Sequence, residues 1–426
     1  MDKKRIFTLF LIVLADMSGA AAILPIIPVF VLEQFHANPF EAALVVPVYY
    51  VAQALAAPWL GNLSDRFGRR PLLLISQVGT IVSYLLIVLV VPLGALLDHL
   101  GLSFGLTGGI IVIYFARILD GVTGGNISVA QAYASDISTP EERTHALGLV
   151  GGASGLGHIL GPALAGLLAG FSMLAPFMAA AAVSAITFIM TLLWLHEPAQ
   201  HPAHADTQTA APRIPLAQLL ARRPIALILA TTLTIGLYMA ALFGIFSLYA
   251  DKVLLPAQDS VTVVRTTGWL ITVMGLVMAL TQVVLLKPLV GHLGERRAVL
   301  VGSFLMLVSA VGFFAFTSVW GAVICMILFA LGYGMAWPVL QALLTGYGKE
   351  EEAGRLLGWF QTVFSVALIV GPVWSGYVFD AAAPQTVFAI SAGLMVLALI
   401  LSVGIQRLQL TALHHEQKAM LKGFHH

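Results

Sequence analysis

Four ionisable residues lie deep inside long apolar stretches of the sequence, namely Asp16, Arg117, Asp120 and His158. A charged side chain inside a bilayer is costly and normally marks an ion or substrate path. Because burial disfavours an ionised carboxyl, a proton could bind to Asp16 and leave it again. Arg117 and Asp120 are three residues apart and share one helix face, and imidazole is the side chain best suited to move protons near neutral pH. The chemistry that these four residues indicate is proton exchange.

Each of these residues also has a structural interpretation. Asp16 could form a permanent salt bridge or a helix-bending hydrogen bond, and Arg117 and Asp120 could be a fixed, self-neutralising pair. Alternatively, Arg117 could respond to the protonation of Asp16 or Asp120. His158 could shuttle protons, contact a substrate or simply pack. The second half of the chain has no acid deep within an apolar run, so we expect any proton site in the first half.

Composition places the chain in a membrane, because 59% of its 426 residues are hydrophobic and only 10% are charged. Soluble domains are about half apolar and a quarter charged. A bilayer-spanning helix needs about 20 apolar residues, and helices satisfy their backbone groups within one segment. The sequence therefore predicts an all-α integral membrane protein with twelve transmembrane helices in two pseudo-symmetric six-helix bundles. The predicted spans are 6–31, 42–60, 72–97, 107–133, 145–170, 173–195, 224–250, 267–289, 298–318, 320–345, 355–378 and 385–405.

Loop charges predict the orientation. With both termini inside, cytoplasmic segments carry seventeen Lys and Arg residues, and external loops carry only Lys252 and Arg265. This bias follows the positive-inside rule and predicts that both termini are cytoplasmic. The expected location is the inner membrane. We expect an N-terminal bundle over 1–195, a Pro- and Ala-rich linker over 196–223, a C-terminal bundle over 224–405 and a tail over 406–426.

Composition and motifs also exclude several classes of function. A net charge of +1 gives no basic patch for nucleic acid. A single cysteine, Cys325, excludes a disulfide framework, and no residue spacing indicates a metal site. The sequence has no phosphate-binding glycine loop and no serine–histidine–acid set, so an ATP-driven pump and an enzyme are not expected. No cofactor is predicted, and the chain is expected to act as a monomer.

Two stretches of sequence repeat between the halves. The turn Gly61–Pro71 joins two spans and holds four of the 41 charged residues, and a weaker copy follows at Gly291–Arg297. Span five has Gly148, Gly161-Pro162 and Gly166, and span eleven repeats the same intervals from Gly358. Parallel six-span repeats with a site at their interface are one known transporter architecture.

Three motifs together are similar to the major facilitator superfamily, in its twelve-span drug:proton antiporter branch, and resemble the tetracycline-efflux proteins. They are the turn Gly61–Pro71, the segment Arg117–Gly125 of span four, and Gly161–Gly166 of span five. The chain departs from tetracycline-efflux proteins where they carry further carboxylates. It has Val82-Ser83-Tyr84 in span three and no acid in span nine, which speaks against tetracycline as the substrate.

The resemblance implies roles for the motif residues. It implies that Arg117 takes part in proton coupling. It also implies that span five seals the protein against proton leak, and ordinary packing of small residues is the alternative interpretation of that span. It also implies that Asp65 and Arg69 form a cytoplasmic latch with Asp136 and the start of span eleven, unless the arginines are only topology determinants. The candidate gate residues are Gly61, Asp65, Arg66, Gly68, Arg69, Arg70 and Asp136, and those of the antiporter motif are Gly157, Gly161, Pro162 and Gly166.

The function that these observations predict is proton-coupled antiport, exporting a drug or another amphiphilic small molecule by alternating access and using the proton gradient for energy. The alternative is a sugar or metabolite facilitator or symporter of the same fold. Cavities for amphiphiles are mostly apolar with a few polar groups. Aromatic and amide residues that could line one, and that could equally be packing residues, are Tyr49, Gln53, Tyr238, Phe243, Trp269, Gln282, Trp337, Gln341 and Gln361.

Overall fold

Helices account for almost all of the computed structural model, which describes residues 3–103, 105–124, 126–197, 216–347 and 352–423. No β-strand occurs in these residues. Short π-helical turns follow α10 and α11, at Ala250–Leu254 and Thr281–Leu285. The helices are α1 (Lys3–Phe35), α2 (Pro39–Phe67), α3 (Arg69–Val88), α4 (Val90–His99), α5 (Gly108–Thr123), α6 (Asn126–Asp136), α7 (Pro140–Leu168), α8 (Ala175–Trp194), α9 (Leu216–Ala221), α10 (Arg223–Tyr249), α11 (Ser260–Leu280), α12 (Leu286–Leu293), α13 (Glu295–Ala315), α14 (Val319–Gly346), α15 (Ala353–Ala381) and α16 (Thr386–Gly423).

The predicted all-α fold of twelve spans is confirmed. Among the described residues, eleven helical segments are long and apolar enough to cross a bilayer. The remaining predicted span, 107–133, consists of the two shorter helices α5 and α6. Helix α16 continues without interruption from the last span into the predicted tail.

Span four was expected to be one helix, but it is interrupted after Thr123. Glycine is a poor helix former, and Gly124 ends α5 while Gly125 lies outside the described residues. Side chains of neighbouring helices satisfy the freed carbonyls: Ser76 Oγ donates to Thr123 O, and Gln53 Nε2 donates to Gly124 O at 3.1 Å. The interruption is therefore held by specific bonds close to Arg117 and Asp120.

Two other span boundaries also differ from the sequence prediction. Span three, expected over 72–97, is α3 followed after Leu89 by the separate helix α4. Span eight was expected from 267, but α11 begins at Ser260, so Arg265 lies in a helix and not in a loop. Asp259 caps α11 by accepting bonds from the N–H and hydroxyl of Thr262 at 2.9 and 2.8 Å, which lowers the pKa of this carboxyl.

The chain packs as two compact units. Unit 1 contains the described residues up to 197 together with 242–272 and 372–384. Inside this unit, α1 packs chiefly against α7 and α8. Ser247 Oγ donates to Leu24 O at 2.8 Å, and the ring of Tyr377 meets that of Phe40 edge-on at 6.4 Å between centroids. Segments of the second half of the sequence thus contribute to the packing of unit 1.

Unit 2 contains the remaining described residues, in 216–241, 273–371 and 385–423. Helix α13 packs against α14 and α16. A Cβ at Gly302 would lie 2.7 Å from Gly332 O, so only glycine permits this close crossing of α13 and α14. The boundaries expected for the two bundles and the linker stay predictions, and most of the expected linker lies outside the described residues.

The repeated turn is a one-residue break between two helices. Gly68 separates α2 from α3 with φ +96°, and Gly294 separates α12 from α13 with φ +76°. At both glycines ψ is near 160°, a backbone region that is essentially restricted to glycine. A side chain at Gly68 would also collide with Glu197, whose carboxyl carbon lies 2.6 Å from the ideal Cβ position, whereas Gly294 has open space there.

Alanine at the two glycines separates backbone strain from the loss of the Glu197 contact. We expect Gly68→Ala and Gly294→Ala both to lower the melting temperature of the purified protein, since each forces alanine into a strained conformation costing about 1–3 kcal/mol. Gly68→Ala is expected to have the larger effect because it also displaces Glu197. Equal shifts in a fluorescence melting assay would contradict the structural role of that contact.

Candidate functional site

Asp16, Arg117 and Asp120 are brought together in the interior of unit 1. Their relative exposures are 6%, 3% and 2%. Arg117 Nη1 donates to Asp120 Oδ2 at 2.6 Å, and the guanidinium carbon lies 4.3 Å from the centre of the Tyr49 ring. The arginine therefore gains an ion pair from its own helix and a cation–π contact from α2.

Thr80 joins the two carboxylates and was missed by the sequence analysis. Its hydroxyl oxygen lies 3.5 Å from Asp16 Oδ1 and 3.4 Å from Asp120 Oδ1. A hydroxyl carries one proton and accepts through its lone pairs, so it can donate to only one carboxylate at a time. We refer to Asp16, Thr80, Arg117 and Asp120 as the buried charge cluster.

A pattern in the sequence could have revealed Thr80. Span three contains Ser76, Gln77, Thr80 and Ser83, which lie on one helix face, and all four are buried. Buried polar groups are normally hydrogen-bonded, and here Ser83 Oγ donates to Ala116 O at 2.8 Å. A polar stripe within an otherwise apolar span thus marks the face of α3 that meets α5.

Two of the predicted cavity residues belong to the surroundings of the cluster. Tyr49 is 5% exposed and stacks on Arg117. Gln53 Nε2 donates to Tyr49 Oη at 3.0 Å as well as to Gly124 O. Tyr49 thus contacts the arginine, and Gln53 joins Tyr49 to the carbonyl at which the span is interrupted, so in this conformation they position the charge cluster.

Two of the remaining predicted cavity residues, Tyr238 and Trp337, are packing residues of unit 2. Tyr238 is fully buried and shares a hydrogen bond with Ser309 at 3.1 Å. Trp337 lies between the rings of Tyr333, Phe360 and Phe364, at centroid distances of 5.1, 4.6 and 4.5 Å. Of the others, the exposed residues are Trp269, Gln282 and Gln361, and the half-buried residues are Phe243 and Gln341.

His158 stands apart from the charge cluster in its described contacts. Its side chain is exposed, and Nδ1 lies 2.9 Å from Ser154 O, one turn earlier on the same helix. This bond stays within α7 and connects His158 to neither carboxylate. A role of His158 in proton transfer stays a prediction.

The antiporter motif of span five packs directly on the helix that carries Asp16. A Cβ at Gly157 would lie 2.5 Å from Met17 Cβ, and one at Gly161 would meet Ser18 O. Pro162 and Gly166 face Gly268 of α11 in the same way. In the first turns of α7, by contrast, Gly148, Gly151, Gly152 and Gly155 are exposed and have no neighbouring atoms against them among the described residues.

The repeated turn forms a second polar cluster at one end of unit 1. Arg69 Nε lies 3.1 Å from Asp136 Oδ2, and its Nη1 donates to Ser64 Oγ at 2.8 Å. Arg66 is exposed, Gly61 lies inside α2, and the side chain of Asp65 lies outside the described residues. The pairing of Arg69 with Asp136 has the predicted geometry, and its function as a latch stays a prediction.

Glu197 is the residue of this second cluster that sequence analysis missed. Its carboxylate accepts bonds from the backbone N–H groups of Arg69 and Arg70, at 2.6 and 2.9 Å. These are unsatisfied donors at the N-terminus of α3, where negative charge is favourable. Arg70 Nη2 also donates to Leu192 O at 2.9 Å. Span six thereby fixes the start of α3, and the signal was an acid immediately after that span.

The family of the chain follows from comparison with known proteins. The family model described as Major Facilitator Superfamily matches residues 9–264 and 253–408. The chain belongs to this superfamily. It is therefore a membrane transporter and not an enzyme, and the resemblance inferred from its three motifs is confirmed.

Curated relatives of similar length are resistance proteins. The chain is 31% identical over 376 residues to tetracycline resistance protein class G of Vibrio anguillarum, covering 85% of this chain and 87% of that one. It is 28% identical to class B of Escherichia coli, with 88% of each chain covered. It is 29% identical to multidrug resistance protein 2 of Bacillus subtilis (strain 168), covering 88% of this chain and 89% of the relative.

Solved structures share the fold at lower sequence identity. The nucleoside transporter NupG superposes with a TM-score of 0.72 at 14% identity, covering 95% of this chain and 99% of that one. The human organic anion transporter MFSD10 gives a TM-score of 0.62 at 21% identity, covering 94% of this chain and 99% of that one.

A double-mutant cycle tests whether Arg117 and Asp120 stabilise the fold as a pair. We expect Arg117→Gln and Asp120→Asn each to lower the melting temperature, since removing one partner leaves the other polar group buried. The double variant should lose less than the sum of the two single losses, with a coupling energy of about 1–3 kcal/mol. The more solvent-accessible pair Arg69–Asp136 is the control, and its losses should be almost additive. Additive losses at Arg117–Asp120 would contradict a stabilising pair.

Proposed function

We propose that the protein is a proton-coupled antiporter that exports a drug or another amphiphilic small molecule by alternating access. The observation that carries the proposal is the buried charge cluster, in which two carboxylates share one hydroxyl beside an arginine. Ionisable groups inside a membrane normally belong to ion or substrate paths. Similarity to tetracycline and multidrug resistance proteins supports the choice of substrate class.

Asp16 is the proposed proton carrier of this antiporter. Asp120 is neutralised by Arg117 at 2.6 Å, so a proton on Asp120 would break an ion pair. The charge of Asp16 can change while that pair stays intact, and Thr80 connects the two sites. A cationic or amphiphilic substrate would favour ionised Asp16, and a proton arriving from the other side would displace the substrate.

The packing of the antiporter motif supports this assignment. Gly157 and Gly161 place α7 against α1 on the turn that follows Asp16, leaving no room for side chains between them. Such close contact excludes water. Exclusion of water is required if protons are to cross only when substrate is transported. We propose that this seal moves with α1 as a unit.

The proposed orientation has both termini in the cytoplasm of a bacterial cell, with the protein acting as a monomer in the inner membrane. It rests on the distribution of basic residues, seventeen in predicted cytoplasmic segments and two in predicted external loops. One of those two, Arg265, lies in α11. The contacts of Ser247 and Tyr377 within unit 1 then lie toward the external side. We propose that they form the external gate.

The proton site is tested by a ligand screen. We expect purified protein to be stabilised against heat by one class among antibiotics, cationic dyes and sugars, with a shift that differs between about pH 6 and about pH 8. Asp16→Asn should keep the fold and remove the pH dependence of that shift. In proteoliposomes the same variant should lose export driven by a pH gradient. If the transport rate of the wild-type protein does not depend on the pH gradient, the protein is a facilitator instead.

The shared hydroxyl gives a second test. We expect Thr80→Val, which keeps the shape but removes the proton, to lower kcat of gradient-driven export by about tenfold and to leave KM unchanged. Thr80→Ser keeps the hydroxyl and should restore the rate. Initial rates across a pH series in proteoliposomes measure both effects. A valine variant as fast as wild type, or a serine variant as slow as valine, would remove Thr80 from the proton path.

A further inference from the structure

An apolar cavity lies in unit 1, between α1, α7 and α8. Its volume is about 320 Å³, at the lower end of the range of small-molecule sites. The lining is apolar except for Ser18 and Thr187. A cavity of this composition does not hold water well and suits an apolar ligand.

Small side chains create the cavity. Four of the residues that α1 contributes are Ala15, Ser18, Gly19 and Ala22, and α8 contributes Ala179 and Ala180. Larger residues at these positions would let the helices meet through interdigitating side chains. The sequence therefore keeps a gap along α1 that conventional packing would fill.

The cavity opens toward the hydrocarbon of the membrane. Leu160, Leu164, Val183 and Ile186 line it and are also among the exposed large hydrophobic residues, at 41%, 46%, 45% and 57% relative exposure. Leu160 and Leu164 lie in the last third of α7, and Val183 and Ile186 lie in the middle of α8, all within membrane-spanning segments. The molecules that reach this opening are therefore those dissolved in the bilayer.

The dimensions select the shape of the ligand. On α1 the lining extends from Leu11 to Ala22, which is about 16 Å along a helix. A volume of about 320 Å³ distributed along that length describes an elongated cavity. An elongated apolar cavity matches the shape of one extended hydrocarbon chain better than that of a compact ring system.

The inner wall of the cavity adjoins the buried charge cluster. Gly19 contacts the hydroxyl of Tyr84, which is fully buried and has no hydrogen-bond partner among the described residues. Thr187 accepts a bond from Gln77 at 3.3 Å. Ala15, which lines the cavity, directly precedes Asp16 in α1, so the wall and the carboxylate belong to the same helical turn.

We propose that this cavity binds the alkyl chain of a single-chain amphiphile dissolved in the membrane, as a lateral entry site of the exporter. The inference rests on the proposed export of amphiphiles and adds to it the substrate shape and the route. Occupancy would act on Asp16 through α1, which ties substrate entry to the proton site. A phospholipid acyl chain is the competing occupant.

Photolabelling in nanodiscs tests the site without any proton gradient. The probe is a dodecyltrimethylammonium ion with a diazirine in its chain, and labelled peptides are mapped by mass spectrometry. We expect saturable labelling of α1, α7 and α8 around the cavity. Unlabelled dodecyltrimethylammonium should displace the probe, whereas an adamantyl ammonium ion at equal membrane mole fraction should not. Even labelling of all lipid-facing helices, or equal displacement by both ions, would overturn the proposal.

Matched alanine variants of α8 supply the second measurement. Ala179 lines the cavity, whereas Ala182 is exposed on the same helix and does not. Ala179→Leu should lower labelling by about tenfold by filling the space, and Ala182→Leu should leave it unchanged. Melting temperatures check that both variants fold, and the competition between the two ions on the wild-type protein decides the question if Ala179→Leu does not fold.

Two further arms separate the possible causes of failure. The first arm uses a phosphatidylcholine that carries the diazirine in one acyl chain. When the dodecyl ion is present, this lipid should not label the cavity. Saturable lipid labelling that the dodecyl ion fails to displace would identify the cavity as a lipid site. Asp16→Asn should retain labelling because the cavity residues are unchanged. Labelling that persists while wild-type transport ignores the pH gradient would disprove proton coupling and leave the entry site intact.

Discussion

Burial of Arg117 next to two carboxylates is the constraint on which the rest of unit 1 depends. An isolated guanidinium removed from water would be prohibitively unstable, so the groups around Arg117 must compensate its positive charge. Asp120 neutralises it from the same helix, Tyr49 offers its ring face, and Thr80 bridges to Asp16. The surrounding spans must hold these groups to within a few tenths of an ångström, because hydrogen bonds weaken steeply with distance and angle.

The helix interruption and the glycine contacts both serve that requirement. Ending α5 at Thr123 frees carbonyls, which Ser76 and Gln53 then bind from α3 and α2. Three helices are thereby fixed to one point a turn away from Asp120. On the other side, Gly157 and Gly161 bring α7 into backbone contact with α1. A continuous span four would lack these bonds to α2 and α3, and larger residues at Gly157 and Gly161 would separate α7 from α1.

Much of this arrangement could be predicted from the sequence, and the remainder has identifiable reasons. Hydropathy and length gave the spans, and charge rarity singled out Asp16, Arg117 and Asp120. Thr80 and Glu197 were missed because their roles depend on tertiary contacts, to carboxylates 64 and 40 residues away and to a backbone 128 residues away. Arg265 was misplaced because the cap formed by Asp259 extends α11 through a polar segment that resembles a loop.

The two copies of the repeated turn show how a duplicated backbone can carry different chemistry. Gly68 and Gly294 adopt the same glycine-specific conformation, so the backbone solution is common to both halves. Around Gly68 the N-terminal donors of α3 are bound by Glu197, and Arg69 is paired with Asp136. Around Gly294 there is open space, and Arg296 contacts the ring and hydroxyl of Tyr347. A turn that only sets topology needs the glycine and the positive charges, which both copies have. The additional acids at the first copy give its arginines defined partners, which is the arrangement that the predicted cytoplasmic latch requires.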